Sequence, residues 1–199
     1  MPVRHVLLDA DGVMQDLRSG WEVTFAELFG DRAEEFIAHI AMDEQPSLRG
    51  EVPFTPVLAE VLVEFGVDED VRDVYARWLD IVVDERSRAL VHRLRERGLG
   101  VHLATNQNPE RRDHMRDVLE YDDLFDSSFY SCELGVAKPD AAYFSTVLGR
   151  LGVPAGEVLF VDDSVANVDG ARGVGLLAEH WHLDQGHDRL DHLMARHLG

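Results

Sequence analysis

Three short apolar runs of the same form constrain the fold more than any other feature of this sequence. They lie at 5–12, 100–107 and 157–164 and read HVLLDADG, GVHLATNQ and EVLFVDDS. Each run changes abruptly from apolar to polar residues, the pattern of a strand that is buried on both faces. Weaker runs at 129–131 and 175–181 suggest two further strands.

Helical patterns separate these runs from residue 85 onward. The segment 85–98 ends at a glycine, and 108–120 begins with Asn108 and a proline, a capping residue followed by the residue favoured at the first helical position. The segment 139–154 places apolar residues on one helical face. Alternation of strands and helices predicts an α/β fold with a Rossmann-like parallel sheet that is covered on both sides.

Residues 16–84 do not follow this alternation. Their helical patterns lie at 22–41, 55–65 and 70–83, and no clear strand stands out. We therefore predict a catalytic core at 1–15 and 85–199, with an all-helical cap at 16–84 inserted after the first strand. The hinges are expected near 14–20 and 80–86, where Met14 and Gln15 would line the first one.

The formal net charge of −19 limits the partners of this chain. We expect no nucleic-acid partner, because a surface with this much negative charge repels phosphodiester backbones. The sequence has neither an apolar run long enough to span a membrane nor the pattern of a secretory signal. Its single cysteine, Cys132, suits a reducing compartment, and we expect a cytoplasmic protein with no membrane partner.

Polar residues follow each of the three main strands. Because ligands bind beyond the carboxyl ends of parallel strands, these residues should meet at one edge of the sheet. They are Asp9, Asp11, Thr105, Asn106, Asp162 and Asp163. Four carboxylates in one cleft repel one another, and a hard divalent ion offsets that repulsion. Mg²⁺ is the expected cofactor, since it takes oxygen ligands and accepts a phosphate oxygen.

Lys138 is the only lysine among nineteen cationic residues. An ammonium is a compact point charge, whereas a guanidinium is a wide planar fork. A phosphoryl group that enters a cluster of carboxylates needs positive charge on its other side. We therefore predict that Lys138 supplies this positive charge and that arginine cannot replace it.

Four ordered motifs carry a resemblance to a known family. They are LLDADGV (7–13), LATNQ (103–107), GVAKPD (135–140) and VLFVDDSVANVDGAR (158–172). From end to end the chain resembles the haloacid dehalogenase-like (HAD) hydrolases. The helical block after the first motif is similar to the type 1 cap of that family, which closes over the site.

The resemblance implies a role for each matching residue. Asp9 would be the nucleophile that takes the phosphoryl group, and Asp11 would protonate the leaving oxygen and later activate water. Thr105, with the backbone of Asn106, would hold the transferring phosphoryl group, and Lys138 would bridge it and Asp9. The dehalogenase branch lacks an acid at the position of Asp11, so the resemblance points to a phosphatase.

The resemblance also implies a metal site. Asp9, the carbonyl of Asp11 and Asp163 would hold Mg²⁺, and Asp162 would be a direct ligand or a supporting partner. Asn167 would order the turn that follows the metal site.

The predicted cap implies a small phosphorylated metabolite as substrate. It resembles the caps of sugar-phosphate phosphatases. Arg49 either reaches from the cap towards the substrate or is a solvated loop residue, and Trp21 either walls the entrance or belongs to the core of the cap.

Three rival functions use the same residues differently. A phosphomutase would return the phosphoryl group to a second hydroxyl, and a silent binding module would use the scaffold without chemistry. A signalling receiver domain has its acidic residues in a different order and has no counterpart of the insertion. The chain is expected to be a monomer or a homodimer.

Overall fold

The computed structural model describes residues 2–199, and a five-stranded parallel sheet lies at its centre. The sheet order is β5-β4-β1-β6-β7, so the strand that begins the chain lies in the middle. Its strands are β1 (His5–Leu8), β4 (Gly100–Thr105), β5 (Ser127–Tyr130), β6 (Val158–Asp162) and β7 (Leu177–His180). The three strong runs and the two weak ones all form strands, so the α/β Rossmann-like fold is confirmed.

Seven helices flank this sheet. They are α6 (Glu85–Glu96), α7 (Pro109–Asp117), α8 (Tyr121–Leu124), α9 (Ser131–Leu134), α10 (Ala141–Leu151), α11 (Val165–Gly173) and α12 (His187–Leu198). Asn108 caps α7 as predicted, since its side chain accepts a hydrogen bond from the backbone N–H of Arg111. Buried apolar residues pack on both faces of the sheet, one cluster under α6 and α12 and the other under α10 and α11.

Five helices lie between the first strand and α6. They are α1 (Trp21–Phe29), α2 (Ala33–Asp43), α3 (Gln45–Leu48), α4 (Phe54–Phe65) and α5 (Val71–Ala76). The helical stretch predicted at 22–41 is confirmed, although a 3-10 turn at Gly30–Arg32 divides it into two helices and Gly30 has a positive φ of 54°. A separate aromatic cluster, which includes Phe25, Phe36 and Trp78, holds these helices together.

The expectation that residues 16–84 contain no strand is wrong. Strand β2 (Gln15–Leu17) pairs antiparallel with β3 (Ile81–Val83), a segment predicted to be helical. Three β-branched residues in succession favour a strand there. The two strands lie within the predicted hinge regions, and the division of the chain into core and cap stays a prediction. Within residues 2–199 no helix has the length and apolarity that crossing a bilayer requires.

Candidate active site

The carboxyl ends of three neighbouring strands bring the predicted residues together. Because β1 lies between β4 and β6, Asp9 stands between Thr105 at the end of β4 and Asp162 at the end of β6. The backbone N–H of Asp9 donates to the carbonyl of Val161 at 3.0 Å, which extends the ladder by one residue beyond β1. Asp9, Thr105 and Asp162 are all buried, so their polar groups need partners within the protein.

Lys138 supplies much of that partnership. Its Nζ donates to the carbonyl of Ala104 at 2.9 Å and to Asp162 Oδ2 at 2.6 Å, and it lies 2.9 Å from Asp9 Oδ1. Burial alone would lower the pKa of Lys138, but the two carboxylates hold that pKa above its usual range. Three acceptors thus surround one nitrogen atom, the geometry of an ammonium and not of a planar guanidinium.

Asn106 fixes the loop that carries Lys138. Its side-chain Nδ2 donates to the carbonyl of Lys138, and the N–H of Lys138 donates to Asn106 Oδ1, both at 2.9 Å. The side chain of Asn106 is therefore engaged with the loop. The predicted contact between its backbone and a phosphoryl group stays a prediction.

Asp9, Asp162 and Asp163 form a cluster that can hold a metal ion. One ligand atom from each lies within 4.8 Å of the others. Burial and the repulsion of Asp162 raise the pKa of Asp9 well above its usual range and raise the pKa of Asp163 to about 6. A divalent cation would relieve this repulsion, and carboxylate oxygens are the donors that Mg²⁺ prefers. The residues therefore fit the predicted cofactor.

Within this cluster, Asp162 already has partners for both carboxylate oxygens. Oδ2 accepts from Lys138, and Oδ1 accepts from the N–H of Ser164 at 2.8 Å and from Asn167 Nδ2 at 2.9 Å. This occupancy favours a supporting role for Asp162 and leaves Asp163 as the more accessible ligand. Asn167 lies in the first turn of α11, and the role predicted for it in ordering the turn after the metal site stays a prediction.

The Asp11 carboxylate is not part of this cluster, and the metal contact predicted for its carbonyl stays a prediction. Arg111 binds the Asp11 carboxylate through two hydrogen bonds, Nη1 to Oδ2 at 2.5 Å and Nη2 to Oδ1 at 2.8 Å. Gln15 and Gln107 also donate to it, at 3.0 and 2.9 Å. Burial opposes ionisation of Asp11, but Arg111 outweighs burial and holds the pKa of this carboxyl below its usual range.

Sequence reasoning missed Arg111, which is buried on α7. Two arginines stand side by side at 111 and 112, and composition does not tell which of them faces inward. Helical spacing could have done so, because Arg111 lies one turn before the buried Met115. Gln107 lies within the second motif, and its Nε2 also donates to Thr105 Oγ1 at 3.0 Å.

The cap residues selected from the sequence both lie at cavities. Arg49 and Gln45 line a cleft of about 380 Å³ whose opposite wall includes Lys138, and the Arg49 side chain pairs with Glu51 at 2.7 Å. Trp21 belongs to the cap core, where it packs on Phe25 and Trp78. Trp21 also lines a second cavity, so its two predicted roles are compatible.

Comparison with protein families identifies the family of this chain. Residues 3–175 match the family model described as haloacid dehalogenase-like hydrolase. The chain belongs to the haloacid dehalogenase-like hydrolases. The family match covers all four motifs and every predicted site residue, from Asp9 to Asn167.

Two relatives among characterised proteins are phosphatases by name. The chain is 34% identical over 97 residues to the sesquiterpene phosphatase astK of Aspergillus oryzae, a match that covers 49% of this chain and 50% of the relative. It is 34% identical over 91 residues to the glyceraldehyde 3-phosphate phosphatase of Pyrococcus abyssi, covering 45% of this chain and 38% of the relative. The matched segment spans half the length of these relatives or less.

Solved structures of HAD enzymes share the fold over nearly the whole chain. A HAD family enzyme from Bacteroides thetaiotaomicron superposes with a TM-score of 0.78 at 20% identity, covering 96% of this chain and 99% of that one. The same enzyme in complex with magnesium and inorganic phosphate gives a TM-score of 0.73 at 22% identity, covering 89% and 93%. At such identities the likeness concerns the fold alone.

Proposed function

We propose that this HAD hydrolase removes phosphate from a small phosphorylated metabolite in a Mg²⁺-dependent reaction. The observation that supports this most is the arrangement of the buried Asp9 and Lys138 beside the partly exposed Asp163, with Asp11 two residues after Asp9. It combines a nucleophile, an ammonium and a cation site at one point, as phosphoryl transfer requires. The phosphatase names of two relatives and the magnesium and phosphate of one structural neighbour support the same reaction class.

In the first step the Asp9 carboxylate would attack phosphorus and form an aspartyl-phosphate. The bond from phosphorus to the leaving oxygen breaks, and that oxygen takes a proton from Asp11. In the second step water attacks the aspartyl-phosphate, Asp11 takes the proton of that water, and inorganic phosphate leaves with Asp9 restored. Arg111 holds the pKa of Asp11 below its usual range despite burial, which favours the carboxylate form that the second step needs.

The other predicted residues would position the phosphoryl group. Lys138 would neutralise its charge while it keeps Asp9 oriented, and Thr105 would bind it from the end of β4. A bound Mg²⁺ would be held by Asp9, Asp163 and the Asp11 carbonyl, and it would neutralise charge on the phosphoryl oxygens. Arg49 would contact the substrate from the cap, across the cleft from Lys138.

Phosphate release from an aryl phosphate and a panel of sugar phosphates tests this proposal. We expect release that needs Mg²⁺, stops with a chelator and falls by at least 10⁴-fold, on the order of 5 kcal/mol, in Asp9→Asn. Asp188→Asn is the matched control, since Asp188 is an exposed carboxylate on α12. Release that persists in Asp9→Asn would contradict the nucleophile assignment.

A phosphomutase is the nearest alternative, because it would use the same nucleophile. Isomerised sugar phosphate without free phosphate would identify it. A silent HAD-like module would give neither product while the protein stays folded.

A further inference from the structure

Two cavities of different character meet at the junction of α2 and α3. Gln45 lines the cleft that contains Lys138, and the preceding residue, Glu44, lines the second cavity. Because these residues are consecutive, the two cavities lie on either side of one corner of the chain.

The second cavity, which we term the aromatic pocket, has a volume of about 300 Å³, at the small end of the range for ligand sites. Its lining is Trp21, Phe25, Ile37, Ile40, Ala41, Glu44 and Trp78. Among the described residues that line it, Glu44 alone carries an ionisable group, and Glu44 Oε1 already accepts a hydrogen bond from Asn108 at 2.7 Å. The pocket therefore offers apolar surface and few free polar partners.

Arg111 connects the aromatic pocket to Asp11. Arg111 Cζ lies 5.6 Å from the centroid of the Trp21 ring, and Arg111 Nε donates to the carbonyl of Trp78 at 3.2 Å. The other edge of the same guanidinium binds Asp11. Thus one side chain contacts both the wall of the pocket and the residue proposed to protonate the leaving oxygen.

We propose that the aromatic pocket binds the leaving group of the substrate and that this group is a compact hydrocarbon or aryl alcohol. The inference rests on the proposed phosphatase function, and it selects apolar phosphate monoesters over sugar phosphates. A sugar would bury several hydroxyl groups against rings and aliphatic chains, and each hydroxyl without a partner loses its hydrogen bonds to water. An alkyl or aryl group has no hydrogen bonds to water to lose, and its transfer from water to the pocket is favourable in free energy.

A series of straight-chain alkyl monophosphates from ethyl to octyl tests the inference. We expect kcat/KM to rise by roughly fourfold per methylene until the pocket is filled, because that factor corresponds to burial of one CH₂ group. Glucose phosphates should fall below hexyl phosphate by at least tenfold. A flat series, or a preference for the sugar esters, would overturn the inference while normal phosphate release keeps the proposed function intact.

A matched pair of variants locates the effect. Ala41 lines the pocket and Ala38 does not, yet both are exposed on the same helix, α2. We expect Ala41→Phe to flatten the alkyl series, so that kcat/KM no longer rises from ethyl to octyl phosphate. Ala38→Phe should keep the full series. Equal effects of the two variants would contradict the assignment to this pocket.

Binding of 1-hexanol separates the inference from the proposed function, since it needs no catalysis. Trp21 and Trp78 form part of the wall, so saturable quenching of tryptophan fluorescence is expected in the wild type and in Ala38→Phe, and not in Ala41→Phe. No quenching in the wild type would overturn the inference whatever the activity. Quenching in a protein that releases no phosphate would overturn the proposed function and support the pocket as a site for apolar ligands.

Discussion

Two regions lie beside the predicted active site, which we call the core wall and the cap wall, and they differ in the charge of their side chains. The core wall is formed by Asp9, Asp162 and Lys138, which are almost fully buried and bonded to one another. The cap wall is formed by the aromatic residues of α1, α2 and the segment around Trp78. It also includes Glu44 and Arg49, which lie directly before and after α3. One wall therefore fixes charges, and the other supplies shape and apolar surface.

The difference shows where each wall can tolerate change. A buried charge that loses its partner destabilises the folded protein by several kcal/mol. Each ion pair in the core wall is therefore needed. An apolar wall changes gradually with the volume of its side chains, so it can be refitted to another substrate. We expect substitutions in the core wall to abolish turnover and substitutions in the cap wall to change preference.

Among the variants that compare the two walls, the largest effect is expected for Lys138→Arg, which keeps the charge and changes only its shape. A planar guanidinium cannot donate to the three oxygens that surround Nζ, those of Asp9, Asp162 and Ala104. We expect kcat for an aryl phosphate to fall by a hundredfold or more, about 2.7 kcal/mol of transition-state stabilisation. The measurement is steady-state phosphate release with saturating Mg²⁺.

Arg150→Lys, the reverse exchange at an exposed position, is the control for this variant and should leave kcat unchanged. Near-full activity of Lys138→Arg would show that charge alone matters at this site. The shape of the ammonium would then not explain why the chain has a lysine here.

Arg111 joins the two walls, and its coupling to Asp11 should be the next largest effect. A double-mutant cycle of Arg111→Met and Asp11→Asn, followed by chemical denaturation, should give a coupling energy of about 2 kcal/mol. The reason is the two-pronged ion pair, in which Arg111 is buried and Asp11 is partly exposed. Additive effects of the two substitutions would show that the pair seen in the structure contributes nothing to stability.

The core wall could be predicted from sequence, and the link between the walls could not. Asp9 and Asp162 follow buried strands, and Lys138 stands out because every other cation is arginine. The sequence analysis did not identify Arg111, because its partner Asp11 lies 100 residues away and the next residue, Arg112, is also an arginine. It missed the strands β2 and β3 for the same reason. Each has three residues, and only pairing between distant segments makes them strands.

Gly50 sets how closely the cap approaches the core. It has a positive φ of 69°, and a Cβ there would overlap the carbonyl oxygen of Cys132 in α9. Gly50→Ala should therefore lift the turn that carries Arg49 away from Lys138. We expect kcat/KM to fall about tenfold, roughly 1.4 kcal/mol.

Gly66→Ala is the matched control for this variant. Gly66 has a similar φ of 72°, but a Cβ there would meet no atom of the described residues within 4 Å. Both variants carry the cost of a left-handed alanine, about 1 kcal/mol, and thermal unfolding should show it in each. A loss of kcat/KM in both alike would attribute the effect to backbone strain and not to cap closure.

The smallest effect concerns Glu44, the one carboxylate of the aromatic pocket. Burial raises the pKa of Glu44 from its ordinary 4.5 to about 6, although Asn108 and Arg111 oppose the shift. The folded state therefore holds this proton more tightly than the unfolded state does. Stability from this group is fully present below pH 4.5 and is lost as the pH rises through 6. Glu44→Gln should thus stabilise the protein at pH 7.5 by about 1 kcal/mol, a figure reduced for partial exposure.

Thermal unfolding of Glu44→Gln at pH 7.5 and at pH 4.5 measures this difference. The gain over the wild type should be present at the higher pH and absent at the lower one, where Glu44 is protonated in the folded state. Glu34→Gln, at an exposed position of α2, should give no pH-dependent gain. An equal gain at both pH values would mean that ionised Glu44 is not destabilised by its surroundings. In that case both walls would accommodate an ionised side chain. They would then differ only in shape.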